Sequence, residues 1–542
     1  MKYQLLWMTL ASASVLTACG SDDDDSGKAS EQSRNPDLGG GKVLLYTTDG
    51  TFIDAANVGN LPDMVTFAGA DRLVVANEGE PEDDYAADAP GSISIIYLGD
   101  DKLVSDVVTL GFEDAMLNGD VRIKPGSDAA HDLEPEYVTI NESMTKAWVT
   151  LQENNAVAVV DLDSESIEKV IGLGKVEWAT QAVDITKDGV ANPILGVPAN
   201  IFALYQPDTI ASYHINGKDY YVTANEGDDR EYGDFTDVEK AKDLVDANDE
   251  SLLSEELQQA LLDTDMEKLE VFTDLGLGAD GRYHSLYMAG TRSFSIWDEN
   301  GTLVFDSGAE FETYLASQYA LNFNTRVDDT DDPDDIAELD EDGIPYEMFG
   351  DTAFFWDDVD ARSLKKGAEP EALAVHRIDD KVFAYIGLEK QGGFFVYDIT
   401  DPASPSRVQY YNRIQYHSLP SFAGDLAPEG MVAFELNGGH YLAVAHELSS
   451  TVSLFELRSS GRASKVAQVM VGSFGEGAAE IVDYDAVGLQ LFVTNAETKR
   501  VDIIDVSKPR QAYIAGHIDF SEHGDSLQSV SVSDGVVAIA VE

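Results

Sequence analysis

Residues 428–457, PEGMVAFELNGGHYLAVAHELSSTVSLFEL, form a unit that recurs along most of the chain, and a repeat of short strands leaves few folds open. The unit holds three apolar runs, at 431–436, 441–445 and 451–457. Each is short and rich in Val, Phe and Leu, which suits a half-buried strand better than a helix. A carboxylate stands at the opening of the first run (Glu429) and another just after the second (Glu447).

Both marked positions return in the other copies. The first-strand set is Asp63, Glu136, Asp208, Glu371, Glu429 and Glu480, with Gln528 in a seventh copy. The second-strand set is Glu78, Glu153, Glu226, Glu389, Glu447, Glu497 and Glu542. A third strand follows in six copies, among them SISIIYL, AVAVVDL and RVDIIDV. The seventh copy ends at Glu542 with no third strand, while KVLLYTT at 42–48 stands alone at the start. An open sheet edge is a liability that a closed ring of sheets removes. The expectation is therefore an all-β, seven-bladed β-propeller over 42–542, latched by 42–48 pairing beside 535–541.

Two stretches depart from the repeat. Residues 229–290 split the third unit, and short helices are expected over 237–262, with Ser254 as an N-cap before Glu255 and Glu256. Residues 300–368 separate the third and fourth units and read as a loop that is heavily acidic from Asp328 to Asp342.

The chain carries 35 Lys plus Arg against 100 Asp plus Glu, a net charge of −65. That balance argues against nucleic acid, whose phosphates need cations. Most of these acids serve solubility, but the repeated ones are different. In a propeller the first strand lines the axis and its start lies beside the second strand's end. The two acid sets should then share one face around the channel mouth, where like charges raise one another's pKa unless neutralised. Ca²⁺, which takes six to eight oxygens in irregular geometry, is the expected cation, with other divalent ions as alternatives. For the second set, packing between repeats is the competing account. Arg230, Arg292 and Arg362 lie beside acidic segments and could pair with them or hold an anionic ligand.

Other motifs carry little. The GxGxxG at 276–281 has no helix pattern after it and reads as a loop, and 338–343 lacks the Glu that a Ca²⁺ loop needs. Zincin, nucleophile-elbow and P-loop patterns are absent from the sequence. At the N-terminus, Lys2, the apolar 5–15 and Leu16-Thr17-Ala18-Cys19 resemble a lipoprotein signal peptide (1–19) whose lipobox makes Cys19 the lipidated residue. Cys19 is the single cysteine, which excludes disulfides. Gly20 after it favours the outer membrane, on the periplasmic or cell-surface side, and 20–41 reads as a disordered tether.

Several phrases are long enough to be specific: VVANEGEPEDDY (74–85), HDLEPEYVTI (131–140), YQPDTIASY (205–213), VTANEGDDREY (222–232), ARSLKKGAEPEALAV (361–375) and GLEKQGGFFVYDIT (387–400). Over about 42–542 the chain resembles the choice-of-anchor I family, which includes the mesenchyme-specific cell surface glycoprotein-like proteins. The resemblance implies an extracytoplasmic propeller with variable anchoring, and some members bear phosphatase or phytase-like names. Relatives usually begin with the blade resembling 477–506, so this chain looks circularly permuted. The Asp-rich loop that relatives often carry is reduced here to 279–283.

Two functions follow as expectations: a monomeric, lipid-anchored binding module whose acidic mouth, with Ca²⁺, takes a polymer, a protein or a phosphorylated ligand; or a metal-dependent phosphoesterase using the clustered carboxylates. Whether the chain is an enzyme stays open at this point.

Overall fold

The structure is a computed structural model that describes residues 40–81, 88–232, 235–248, 250–262, 264–524 and 526–542. The signal peptide, Cys19 and nearly all of the expected tether lie outside the described residues.

The repeat becomes a series of sheets, six antiparallel ones of four strands and one of five whose outermost pair is parallel. We number them by their innermost strands: sheet 1 from Met64–Phe67, sheet 2 from Val138–Ile140, sheet 3 from Ile210–Ile215. Sheets 4, 5, 6 and 7 follow from Pro370–Ile378, Pro428–Leu436, Val482–Asp485 and Ser529–Ser533. Sheet 5 then adds Gly439–His446, Thr451–Leu457 and Ala463–Met470 in order. The last of these has no counterpart in the three-strand unit read from the sequence. It is the outermost strand, open to water on one side, so its residues ASKVAQVM lack the apolar alternation of the inner three.

Sheet 7 is assembled from both ends of the chain. Lys42–Thr47 pairs antiparallel with Val536–Val541, from Lys42 opposite Val541 to Thr47 opposite Val536. That is the pairing the unmatched strand led us to expect. Phe52–Asn57 then completes the outer edge.

Strand periodicity explains how the sheets stack. Successive side chains point to opposite faces, so Val43 and Leu45 join a cluster with Val65, Leu73 and Val75 of sheet 1. Leu44 and Tyr46 join Phe492, Val501 and Ile503 of sheet 6. Comparable apolar clusters join sheets 1 and 2, 2 and 3, 3 and 4, 4 and 5, and 5 and 6. Each fully buried Val, Leu, Ile or Phe contributes about 1.5–3 kcal/mol, so this stacking supplies most of the driving force. Each innermost strand also lies against its neighbours' innermost strands, with sheet 7 against sheet 1.

The first insertion leaves sheet 3 after Asn225 and returns at Ser293. It contains the helix Glu255–Leu261, whose N-terminus is capped by the Ser254 side chain accepting from Leu257 N as expected. Its strands pack with Ile201–Leu204 and their connections in a core of their own. The second insertion is less of a loop than its charge suggested. Leu303–Asp306 is the outer strand of sheet 3, and Pro333–Asp342 is a helix. Asp332 caps that helix, Pro333 opens it and Gly343 ends it at φ 70°, signals that the run of acids had obscured.

Candidate functional site

The local chain geometry that aims the first acid set is shared by several sheets. Leu61, Gln206, Glu369 and Ala427 all adopt left-handed backbone, with φ of 47°, 43°, 54° and 54°. Each is followed by a proline and then by an acid: Asp63, Asp208, Glu371 and Glu429. Non-glycine residues pay about 1–3 kcal/mol for such conformations, which persist where the surroundings enforce them. In three of the sheets the carbonyl of this strained residue accepts from the backbone of the second-set acid. Glu78 N donates to Leu61 O, Glu389 N to Glu369 O and Glu447 N to Ala427 O, each at 2.8 Å. One hydrogen bond thus clamps the two acid positions together. The ladder also shifts register between Pro370 and Leu373 and between Pro428 and Met431, turning Glu371 and Glu429 out of the regular pleat.

The result is one recessed cavity of about 270 Å³. All six first-set carboxylates line it, with Gln528 in the seventh place, and so do Glu78, Glu153, Glu226, Glu389 and Glu447 of the second set. Glu497 and Glu542 do not. Glu497 is exposed, and its carboxylate accepts from Ser473 N at 2.8 Å and Ser473 Oγ at 2.9 Å. Glu497 thus ties down a neighbouring loop, the role that the packing account had proposed for the whole set. Glu542 is exposed at the chain's end.

The anion candidates also divide. Arg230 and Arg362 reach the cavity wall, but both are engaged. Arg230 pairs with Asp132 at 3.0 Å, Asp237 at 3.4 Å and Glu134 at 3.7 Å. Arg362 grips Glu369 through Nε at 2.7 Å and through Nη2. Arg292 lies elsewhere, buried, with its guanidinium donating to Asp184 O, Ser363 O and Lys365 O and paired with Glu312 at 2.8 Å. It holds the second insertion and the connection carrying Asp184 to the edge of sheet 3, and it does not line the cavity.

Residues that the repeat did not reveal complete the wall. Lys366 pairs with Glu226 at 2.9 Å, Asp228 at 3.2 Å and Glu369 at 3.7 Å, and Lys390 pairs with Glu389. These cations cluster where sheets 3 and 4 meet. Asp63, Glu78, Glu136, Glu371, Glu429, Glu447 and Glu480 have no Lys or Arg within ion-pair distance among the described residues. Glu80 and Asp228, each two residues past a second-set Glu, add further negative charge. An Glu-Gly-acid phrase repeats there, Glu78-Gly79-Glu80 and Glu226-Gly227-Asp228, and was a usable signal.

Electrostatics follow from this division. Burial would raise Glu369, but Arg362, Lys366 and Lys390 hold it down at about 2. The carboxyls without cations move the other way. Burial, then Glu80, pushes Asp63 up to about 7. Burial, then Glu447 and Asp63, pushes Glu480 up to about 8. Glu136, Asp208, Glu371 and Glu429 stand well above the usual carboxylate range, first through burial and then through the charge of Glu153, Glu226, Glu429 and Glu447 respectively.

Three groups of carboxylates bring their oxygens within 4.8 Å of one another: Asp208, Glu226 and Glu371; Glu226, Glu369 and Glu389; and Glu371, Glu389 and Glu429. In addition, one oxygen each of Glu136, Glu153 and Glu371 is buried without a hydrogen-bond partner. An all-oxygen, irregular, strongly anionic donor set of this kind suits a hard divalent cation such as Ca²⁺.

Against known proteins, the family model of the Choice-of-anchor I domain matches residues 24–402. Gigasin-3a of Magallana gigas is 29% identical over 131 residues, 24% of this chain and only 38% of that protein's length. Among solved structures, the periplasmic gluconolactonase PpgL of Pseudomonas aeruginosa aligns over 93% of this chain and 99% of its own, at 12% identity and a TM-score of 0.42. The Dos1 propeller aligns over 89% and 93%, at 8% identity and a TM-score of 0.39.

Proposed function

This chain belongs to the choice-of-anchor I family, and from that membership we propose that it is a cell-envelope binding module built on a closed, seven-bladed β-propeller. The seven sheets are its blades, the pairing of Lys42–Thr47 with Val536–Val541 is its latch, and the ring is circularly permuted relative to the family's usual order. A lipid on Cys19 anchors it to the outer membrane, on the periplasmic or cell-surface side. The acidic mouth binds Ca²⁺, and the bound ion presents unfilled coordination positions to an anionic group of a polymer, protein or phosphorylated partner.

The observation that carries this reading is the meeting of Glu371, Glu389 and Glu429, with oxygens within 4.8 Å, beside carboxylates that lack cationic partners. Burial and neighbouring carboxylates disfavour the charged forms of Glu371 and Glu429, and a divalent ion supplies the missing counter-charge in exchange for protons. Adding Ca²⁺ to chelator-treated protein should raise the melting temperature by about 3 °C or more at saturating ion. The shift should disappear in the Glu371→Gln/Glu429→Gln double variant. A wild-type protein indifferent to Ca²⁺, Mn²⁺ and chelator would remove the reading.

A second reading, a metal-dependent phosphoesterase, draws support from Lys366 and Lys390 on the same wall as the carboxylate groups. Two cations beside a metal could bind a phosphoryl group while the metal activates water. A phosphomonoesterase assay with Ca²⁺, Mn²⁺ and Zn²⁺ separates the two. Turnover lost on Glu136→Gln/Glu371→Gln favours the enzyme, and its absence in all three metals favours the binding module.

A further inference from the structure

The outer flank between sheets 4 and 5 carries charge of the opposite sign. A groove of about 410 Å³ there is lined by Arg413, Arg458, Arg462 and Lys465, with Tyr411 and Ser464, and by no acidic residue. Four cations on one concave surface are a concentration in a chain with 35 Lys plus Arg and a net charge of −65. The groove shares no lining residue with the acidic cavity.

The groove is a built surface. Its walls are the outermost strands Ser406–Tyr411 and Ala463–Met470, stitched together by Gln409. That side chain donates to Ala463 O at 3.3 Å and accepts from Ala463 N at 3.0 Å. Arg458 and Arg462 flank a tight turn closed by Arg458 N donating to Arg462 O at 3.0 Å and Gly461 N donating to Arg458 O at 2.8 Å. Gly461 sits at φ 81°, and a Cβ there would meet the Phe383 ring at 2.3 Å, so the turn is pinned against sheet 4.

The cations are unequally satisfied. Lys465 is balanced by Asp425 at 2.7 Å. Arg462 spends one nitrogen, Nη1, on Val408 O at 3.0 Å. Arg458 makes no ion pair or side-chain hydrogen bond among the described residues, and Arg413 has no carboxylate partner among them. Three exposed guanidinium groups with no carboxylate to offset them face one groove. A guanidinium presents paired N–H donors at the spacing of phosphoryl oxygens, which an ammonium cannot do. In a chain with a net charge of −65, a groove lined by cations and by no acid is a favourable place for an anion.

We propose that this groove binds a phosphoryl group on a sugar-sized or glycerol-sized carrier, independently of any cation in the acidic cavity. The same chemistry is offered by a soluble sugar phosphate and by the headgroup of an anionic phospholipid. Calorimetric titration of the full chain in chelator separates them, with glucose 6-phosphate in one arm and dihexanoyl phosphatidylglycerol, kept below micelle formation, in the other. The zwitterionic dihexanoyl phosphatidylcholine serves as the control.

Binding in either arm should weaken about tenfold or more in Arg458→Gln/Arg462→Gln, and also in Arg413→Gln. It should weaken as salt rises from about 50 to about 300 mM. These side chains are exposed, so the variants should melt with the wild type. Binding of the sugar phosphate alone assigns a soluble ligand, and of the glycerophospholipid alone a membrane headgroup. No binding in either arm, binding equal to that of the phosphatidylcholine control, or binding unchanged in both variants overturns the proposal. Chelator is present throughout, so these outcomes are independent of whether the acidic cavity takes Ca²⁺.

Discussion

Replacing Glu480 with Gln isolates the electrostatic strain of the acidic cavity. The Glu480 carboxyl is raised from 4.5 to about 8, first by burial and then by Glu447 and Asp63. A carboxyl raised in the folded state supports the fold fully below about pH 4.5 and loses that support as pH climbs to about 8. The gap corresponds to a ceiling of roughly 5 kcal/mol. Glu480 keeps partial contact with water, which brings the expected loss to about half that value. The amide of Gln has the same shape and never ionises. In urea unfolding with chelator, the variant should match the wild type near pH 5 and exceed it by roughly 2–3 kcal/mol near pH 9. Saturating Ca²⁺ should close most of that gap, because the ion supplies the counter-charge that Glu480 lacks. A variant that differs from wild type by the same amount at both pH values would refute the reasoning, since the effect would then be one of shape.

Two further outcomes probe the scaffold. Arg292→Met leaves the buried Glu312 carboxylate without its partner, so stability in urea should fall by about 3–5 kcal/mol while Ca²⁺ affinity stays unchanged. Loss of Ca²⁺ binding in a variant that remains folded would instead make Arg292 part of the site. Deleting 42–57 strips two strands from sheet 7 and bares Val536–Val541, so the melting temperature should drop by about 10 °C or more. An unchanged melting curve would contradict the latch.

The repeat made the inner three strands of each sheet legible because they keep their Val, Ile and Phe, the second and third strands being largely buried and the first half-buried. The fourth strand, such as Ser406–Tyr411 (SRVQYY), faces water and loses that signature. The first acid set was legible for a similar reason: Asp63 or Glu429 sits where every copy enters its sheet. The neutralising side was legible only in part. Arg362 stood out by its place beside acidic segments, whereas Lys366, at the end of an insertion with no equivalent in other copies, and Lys390, directly after Glu389, have no cationic counterpart in the other copies. Glu497 carries the pattern without the location. Its side chain turns to Ser473 instead of the cavity. The left-handed residues before Pro62, Pro207, Pro370 and Pro428 were invisible because Leu, Gln, Glu and Ala there give no sign of positive φ.

The central claim, a divalent cation held by the carboxylates at the mouth, meets its most direct test in diffraction. Crystals of the protein grown with Ca²⁺, and then with Mn²⁺ for its stronger anomalous signal, should show an anomalous peak bounded by Glu371, Glu389 and Glu429. Metal–oxygen distances there should be about 2.3–2.6 Å for Ca²⁺. A clear map with no peak anywhere among the cavity's carboxylates, at millimolar ion and neutral pH, would contradict the account.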